Sequence, residues 1–135
     1  MSPRTAFLSK LIGLYCILVP GPIFVHKRAT IDTITTLVNT PAELFVVGVL
    51  ALVAGLAMVI GHNIWSGGAA TVLVTLIGWA TLVRALAVFY LTPDAMEGLF
   101  DAMHFDQFGQ VYACISLLIG AYLTYAGFKA TSRQT

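Results

Sequence analysis

Charge is what this sequence has least of. Only 7 of its 135 residues are Lys or Arg and 6 are Asp or Glu, about a tenth of the chain against about a quarter in soluble domains. With 59% hydrophobic residues and a mean hydropathy of +0.90, that shortage excludes a water-soluble globular domain and leaves the membrane class. There is no run of lysines and arginines, which removes the electrostatic footprint that nucleic acid needs. Cysteine is scarce too: Cys16 and Cys114 sit inside apolar runs without a C-x-x-C partner, so neither a redox pair nor a zinc site is written here. Each reads as a small hydrophobe, and their expected positions toward opposite faces put a disulfide out of reach. No nucleophile, base and oxyanion set falls inside the apolar runs. No cofactor is expected.

What is present is a series of apolar runs about 20 residues long, the length that crosses ~30 Å of hydrocarbon as a helix. The clearest pair is Ala42 to Ile60 and Ala69 to Leu91, each with one charge, Glu43 and Arg84, separated by the polar turn GHNIWSGG from Gly61 to Gly68. The expected fold is all-α: one polytopic membrane domain, a four-helix transmembrane bundle with spans at about 7–25, 42–60, 69–91 and 108–128. Short interfacial helices at about 30–39 and 94–105 are expected on the outer side, since both segments place apolar residues at helical spacing opposite polar ones. The first run follows Arg4 and Lys10 and holds Pro20-Gly21-Pro22. A basic start before a brief apolar core also describes a signal peptide, but no small-x-small cleavage pattern follows, so a retained span is expected. The prolines, each without an amide donor, should kink or end the helix there.

Several residues stand out as candidates. Thr40-Pro41-Ala42-Glu43 has the spacing of a capping box, threonine at the N-cap, proline at the first helical position and glutamate at the third. Arg84 lies about 10 Å of helix from Leu91, too deep to be left in lipid without a partner. Glu43, at the start of the adjoining antiparallel span, is the expected other half of a buried charge pair. Small residues at Gly48, Ala51 and Gly55 on the second span, Thr71, Thr75, Gly78 and Ala85 on the third, and Ala113, Ser116, Gly120, Thr124 and Gly127 on the fourth form stripes that let helices approach closely in lipid. In the turn, His62, Asn63 and Trp65 are expected at the membrane interface. Glu97, Asp101 and His104 share helical spacing and are weak candidates for a divalent metal, although an interfacial helix needs a polar face in any case.

Gly61-His62-Asn63-Ile64-Trp65 followed by Val74-Thr75-Leu76-Ile77-Gly78-Trp79 resembles the hairpin of small four-span bacterial inner-membrane proteins that carry a G-H-N-x-W turn and a V-T-L-x-G-W helix. The resemblance covers the hairpin and implies the four-span fold and an inner-membrane location, but no activity. Other four-span families fit less well. Small multidrug exporters carry an acidic residue in the first span, quinone-linked disulfide oxidases need paired cysteines, and haem-bracketing cytochromes need histidines within spans, whereas His26, His62 and His104 fall at or beyond span ends.

Arg4, Lys10, Lys129 and Arg133 outnumber Lys27 and Arg28 across a four-span layout, so both termini are expected in the cytoplasm. The acidic residues Asp32, Glu43, Asp94, Glu97, Asp101 and Asp106 then all face outward. The expected role is that of a non-enzymatic membrane protein acting by helix packing, an accessory or scaffold subunit or a homo-oligomer. Its partners would be lipid and either itself or another membrane protein. The alternative is a minimal transporter or channel with a path lined by Arg84, Glu43 and Thr75.

Overall fold

The computed structural model describes residues 2–132, except the side chains of residues 93, 97, 100, 105, 106 and 131. Its elements are α1 (Pro3–Leu18), α2 (Gly21–Val25), α3 (Lys27–Asn39), α4 (Pro41–Gly61), α5 (Ala69–Tyr90), α6 (Pro93–Ala102) and α7 (Phe105–Ser132). Four stretches are long and apolar enough to cross a membrane: Pro3–Val25, Pro41–Gly61, Ala69–Tyr90 and Gln107–Ala130. The protein is an all-α four-helix bundle with the composition of a multi-pass membrane protein. Helix ends differ from the hydropathy reading where polar chemistry sets them. The first span begins at Pro3 because Ser2 Oγ accepts the Thr5 N–H at 3.2 Å and Pro3 fits the first helical position. Before α4 the opposite holds. Thr40 occupies the N-cap, but its hydroxyl donates backward to Thr36 O at 2.8 Å and makes no capping bond to α4. The capping box expected there does not close, because the preceding helix α3 runs up to Asn39 and offers Thr40 a nearer carbonyl.

Pro20 ends α1 for a specific reason. In a continuous helix the amide at position 20 would bond Cys16 O, and proline has none. That carbonyl would be stranded in hydrocarbon, where an unsatisfied backbone group costs several kcal/mol. Instead Ser116 Oγ on α7 donates to Cys16 O at 3.0 Å. Ser116→Ala should therefore lower stability by about 1–2 kcal/mol, the cost of leaving a buried acceptor unpaired. Ser116→Thr, which keeps the hydroxyl, should lose less in the same unfolding titration. Equal stability of the alanine variant and the parent would refute the assignment.

The spans form two antiparallel pairs, α1 with α7 and α4 with α5. Both rest on glycine. A Cβ on Gly120 would stand 2.8 Å from Gly13 O, and one on Gly127 would stand 3.0 Å from Ala6 O. In the other pair a Cβ on Gly55 would lie 2.8 Å from Leu82 Cα, one on Gly48 2.8 Å from Val88 Cγ1, and one on Gly78 3.0 Å from Met58 Cβ. Phe45 and Phe89 close the end of this pair where α4 begins, edge to face at 5.3 Å. The pairs meet chiefly through α1 and α5, where Ile12, Ala70, Val74 and Leu123 form a buried core. That core lies toward the end that carries both termini and the Gly61–Gly68 turn. Near it, Lys10 Nζ sits 4.6 Å from the centre of the Phe128 ring. Helices α3 and α6 join spans at the opposite end. No residue of α3 is buried, and its main contacts are with its chain neighbours α2 and α4.

Candidate functional site

The α4–α5 register builds the polar end of this pair that carries the Gly61–Gly68 turn. Gly48 opposes Val88, Gly55 opposes Leu82 and Met58 opposes Gly78, so α4 ends at Gly61 beside the level of Thr75, about two turns inside the start of α5. Residues 62–68 must then run back along those two turns, and in a membrane their backbone needs partners. Thr75 supplies them. Its hydroxyl donates to Ile64 O at 2.8 Å, accepts the Ile64 N–H at 3.3 Å, and lies 3.2 Å from Thr71 O. Asn63 Oδ1 accepts from two indoles, Trp65 Nε1 at 2.8 Å and Trp79 Nε1 at 3.4 Å. The G-H-N-x-W turn and the G-W of the following helix are thus tied by one amide. Trp79, which counting along the helix puts near mid-depth, shares the level of the turn. Gly67 and Gly68, with φ of 103° and 112°, make the left-handed reversal into α5 that a side chain would strain.

Among the described residues the buried polar ones are Thr5 and Ser9 on α1, and His62, Thr71 and Thr75 at the turn and the start of α5, each at most 4% exposed. Thr5 hydrogen-bonds the Ser2 hydroxyl at 2.7 Å, and Thr71 donates to Gly67 O at 3.4 Å. His62 departs from expectation. Asn63 and Trp65 are exposed, but His62 is 2% exposed, because its main-chain N–H continues α4 onto Met58 O at 2.7 Å and carries the residue inward. Among the described residues its Nε2 finds no hydrogen-bond partner, as is also true of Ser9 Oγ and Thr124 Oγ1.

Comparison with protein-family models, with curated proteins and with solved structures returned no match. The site is therefore read from its own geometry.

Arg84 and Glu43 are not a buried pair. Both are exposed, and the register places Arg84 level with Leu52, nine residues or about 14 Å along α4 from Glu43. The pairing fails because α4 is displaced along α5 away from the Gly61–Gly68 turn, which an even hairpin would not show. Nor do the path candidates converge. Thr75 is bonded to the turn, Arg84 is exposed on α5 nine residues farther along, and Glu43 stands in the first turn of α4. The metal candidates do not share a helix face: α6 ends at Ala102, and His104 takes φ 45° in the turn after it, its Nδ1 3.0 Å from Ala102 O. The Glu97 side chain and Arg133 lie outside the described residues.

The packing candidates are at helix contacts. Gly48, Gly55 and Gly78 lie in the α4–α5 seam, while Gly120, Thr124 and Ser116 meet α1 at Gly13 and Cys16. The partner stripe on α1, Thr5, Ser9 and Gly13, is not among the expected packing residues, although its i, i+4 spacing is the same signal.

Proposed function

We propose that this protein works as a non-enzymatic accessory or scaffold subunit of the bacterial inner membrane, through helix packing rather than chemistry. One observation carries the reading. Four polar groups of the spans and their turn are directed at the chain's own backbone and indoles: Thr75 to Ile64, Ser116 to Cys16, Thr81 to Ile77 at 2.7 Å, and Asn63 to two tryptophans. Such contacts hold a shape, which is what a subunit that works by packing requires. Both termini and the Gly61–Gly68 turn are assigned to the cytoplasm on the count of lysines and arginines.

Two measurements test this. With the native cysteines replaced, a cysteine at Asp101 should react with a membrane-impermeant maleimide from outside, and one at Ser66 only after permeabilisation. The reverse pattern overturns the orientation. Extraction of native membranes in mild detergent should yield the protein in a particle larger than a single chain in its micelle. A lone chain that by itself moves a solute across vesicles would overturn the scaffold reading in favour of transport.

A further inference from the structure

Arg84 continues a face of α5 that is otherwise covered. Ala70 and Val74 are buried in the core with Ile12 and Leu123, and Leu73 and Ile77 pack against it. Arg84 follows Ile77 by seven residues and Leu73 by eleven, so it lies on the same side of the helix, toward the α1–α7 pair. Yet it is exposed. The cause is the end of α1: that helix runs parallel to α5, its Ile12 shares a buried cluster with Ala70 and Val74, and it stops at Leu18. Only six residues of α1 follow Ile12, whereas Arg84 is ten residues beyond Val74. The helix that covers this face has ended before the arginine is reached, and α2, which carries the span on to Val25, packs chiefly on α3 and α7 rather than on α5.

Depth makes the exposure costly. Level with Leu52, Arg84 is eleven residues, about 16 Å, below the outer start of α4 at Pro41. Its side chain leans toward the N-terminus of α5, away from the outer headgroups, so snorkelling opposes its natural direction. Among the described residues no carboxylate pairs with it. A second copy in the same orientation offers none at that depth either, since Asp32, Glu43, Asp94, Glu97, Asp101 and Asp106 all lie in or beside the outer segments. The neighbours one turn away on the uncovered side, Ala80 and Ala87, are small enough to let another helix approach closely.

Building on the accessory-subunit reading, we propose that this uncovered stretch of α5 seats a transmembrane helix of a different protein, one that carries an aspartate or glutamate at the depth of Arg84. Within hydrocarbon an arginine and a carboxylate satisfy each other and fix the axial position of the joined helices.

The test uses the full chain in phosphatidylcholine vesicles with synthetic leucine-rich transmembrane peptides, association being read by energy transfer. A peptide with one aspartate at the matching depth should associate at least about tenfold more tightly than its all-leucine counterpart. The preference should vanish in Arg84→Leu, persist in Arg84→Lys, and disappear when the aspartate is moved two turns along the peptide. Because Arg84 is exposed, the leucine variant should unfold like the parent. Absence of an aspartate preference overturns the proposal. So does its loss when phosphatidylglycerol is added, which would make an anionic headgroup the occupant, or Arg84-dependent association of the chain with itself. The two readings fail separately. A native complex that survives Arg84→Leu keeps the accessory role and removes this interface, whereas an aspartate preference without a native complex does the reverse.

Discussion

Gly13→Leu is expected to prevent α1 and α7 from pairing, with a loss of at least about 3 kcal/mol, at or beyond the upper end of ordinary overpacking. A Cβ at position 13 would lie 2.6 Å from Thr124 N and 2.9 Å from Gly120 O. Both are backbone atoms of α7, so no rotamer change relieves the clash. The helices must separate, and with them the Ser116–Cys16 bond and the burial of Ser9 and Leu123. In lipid the loss of close backbone contact is not offset by hydrophobic burial, since the chains around the helix are as apolar as leucine. Gly61→Leu is the control, because a Cβ there meets nothing within 4 Å. In an unfolding titration with SDS in mixed micelles, Gly13→Leu should shift the midpoint far below that of the parent while Gly61→Leu leaves it in place. Coincident curves for all three would show that the α1–α7 contact does not hold the bundle together.

Thr75→Val is expected to cost about 2–3 kcal/mol, because one nearly isosteric change leaves two backbone groups of Ile64 without the partner they share. Beside the turn the methyl group fills the hydroxyl's space but cannot donate or accept. The turn would then have to lift toward water to solvate Ile64, drawing Asn63 away from Trp79. Thr75→Ser retains the hydroxyl and should stay within about 1 kcal/mol of the parent, its loss being one buried methyl. Two readouts separate turn release from general unfolding: amide hydrogen exchange at Ile64, which should quicken in the valine variant, and exchange in the α1–α7 pair, which should not. Slow exchange at Ile64 in Thr75→Val would mean that the hydroxyl does not hold the turn.

How far these features were legible in the sequence depends on how local their causes are. Spans, breaks and interfacial helices follow from hydropathy and from proline over windows of a few turns, so the four-helix architecture, the stop at Pro20 and the helical character of residues 30–39 could be read directly. The small-residue stripes were equally visible, because helical periodicity is a property of one segment. Which stripe meets which is not local. Gly13 opposing Gly120, and Ser116 reaching the carbonyl orphaned by Pro20, depend on two helices separated by a hundred residues. The displacement of α4 against α5 decided still more. It parted Arg84 from Glu43, drew His62 into the interior and laid the turn along α5 so that Thr75 and Asn63 found their partners. Sequence alone determined what each segment must be in a membrane, since that follows from transferring its own residues into lipid. Only the tertiary structure decided the axial offsets between segments, because those are fixed by where glycine allows two backbones to touch.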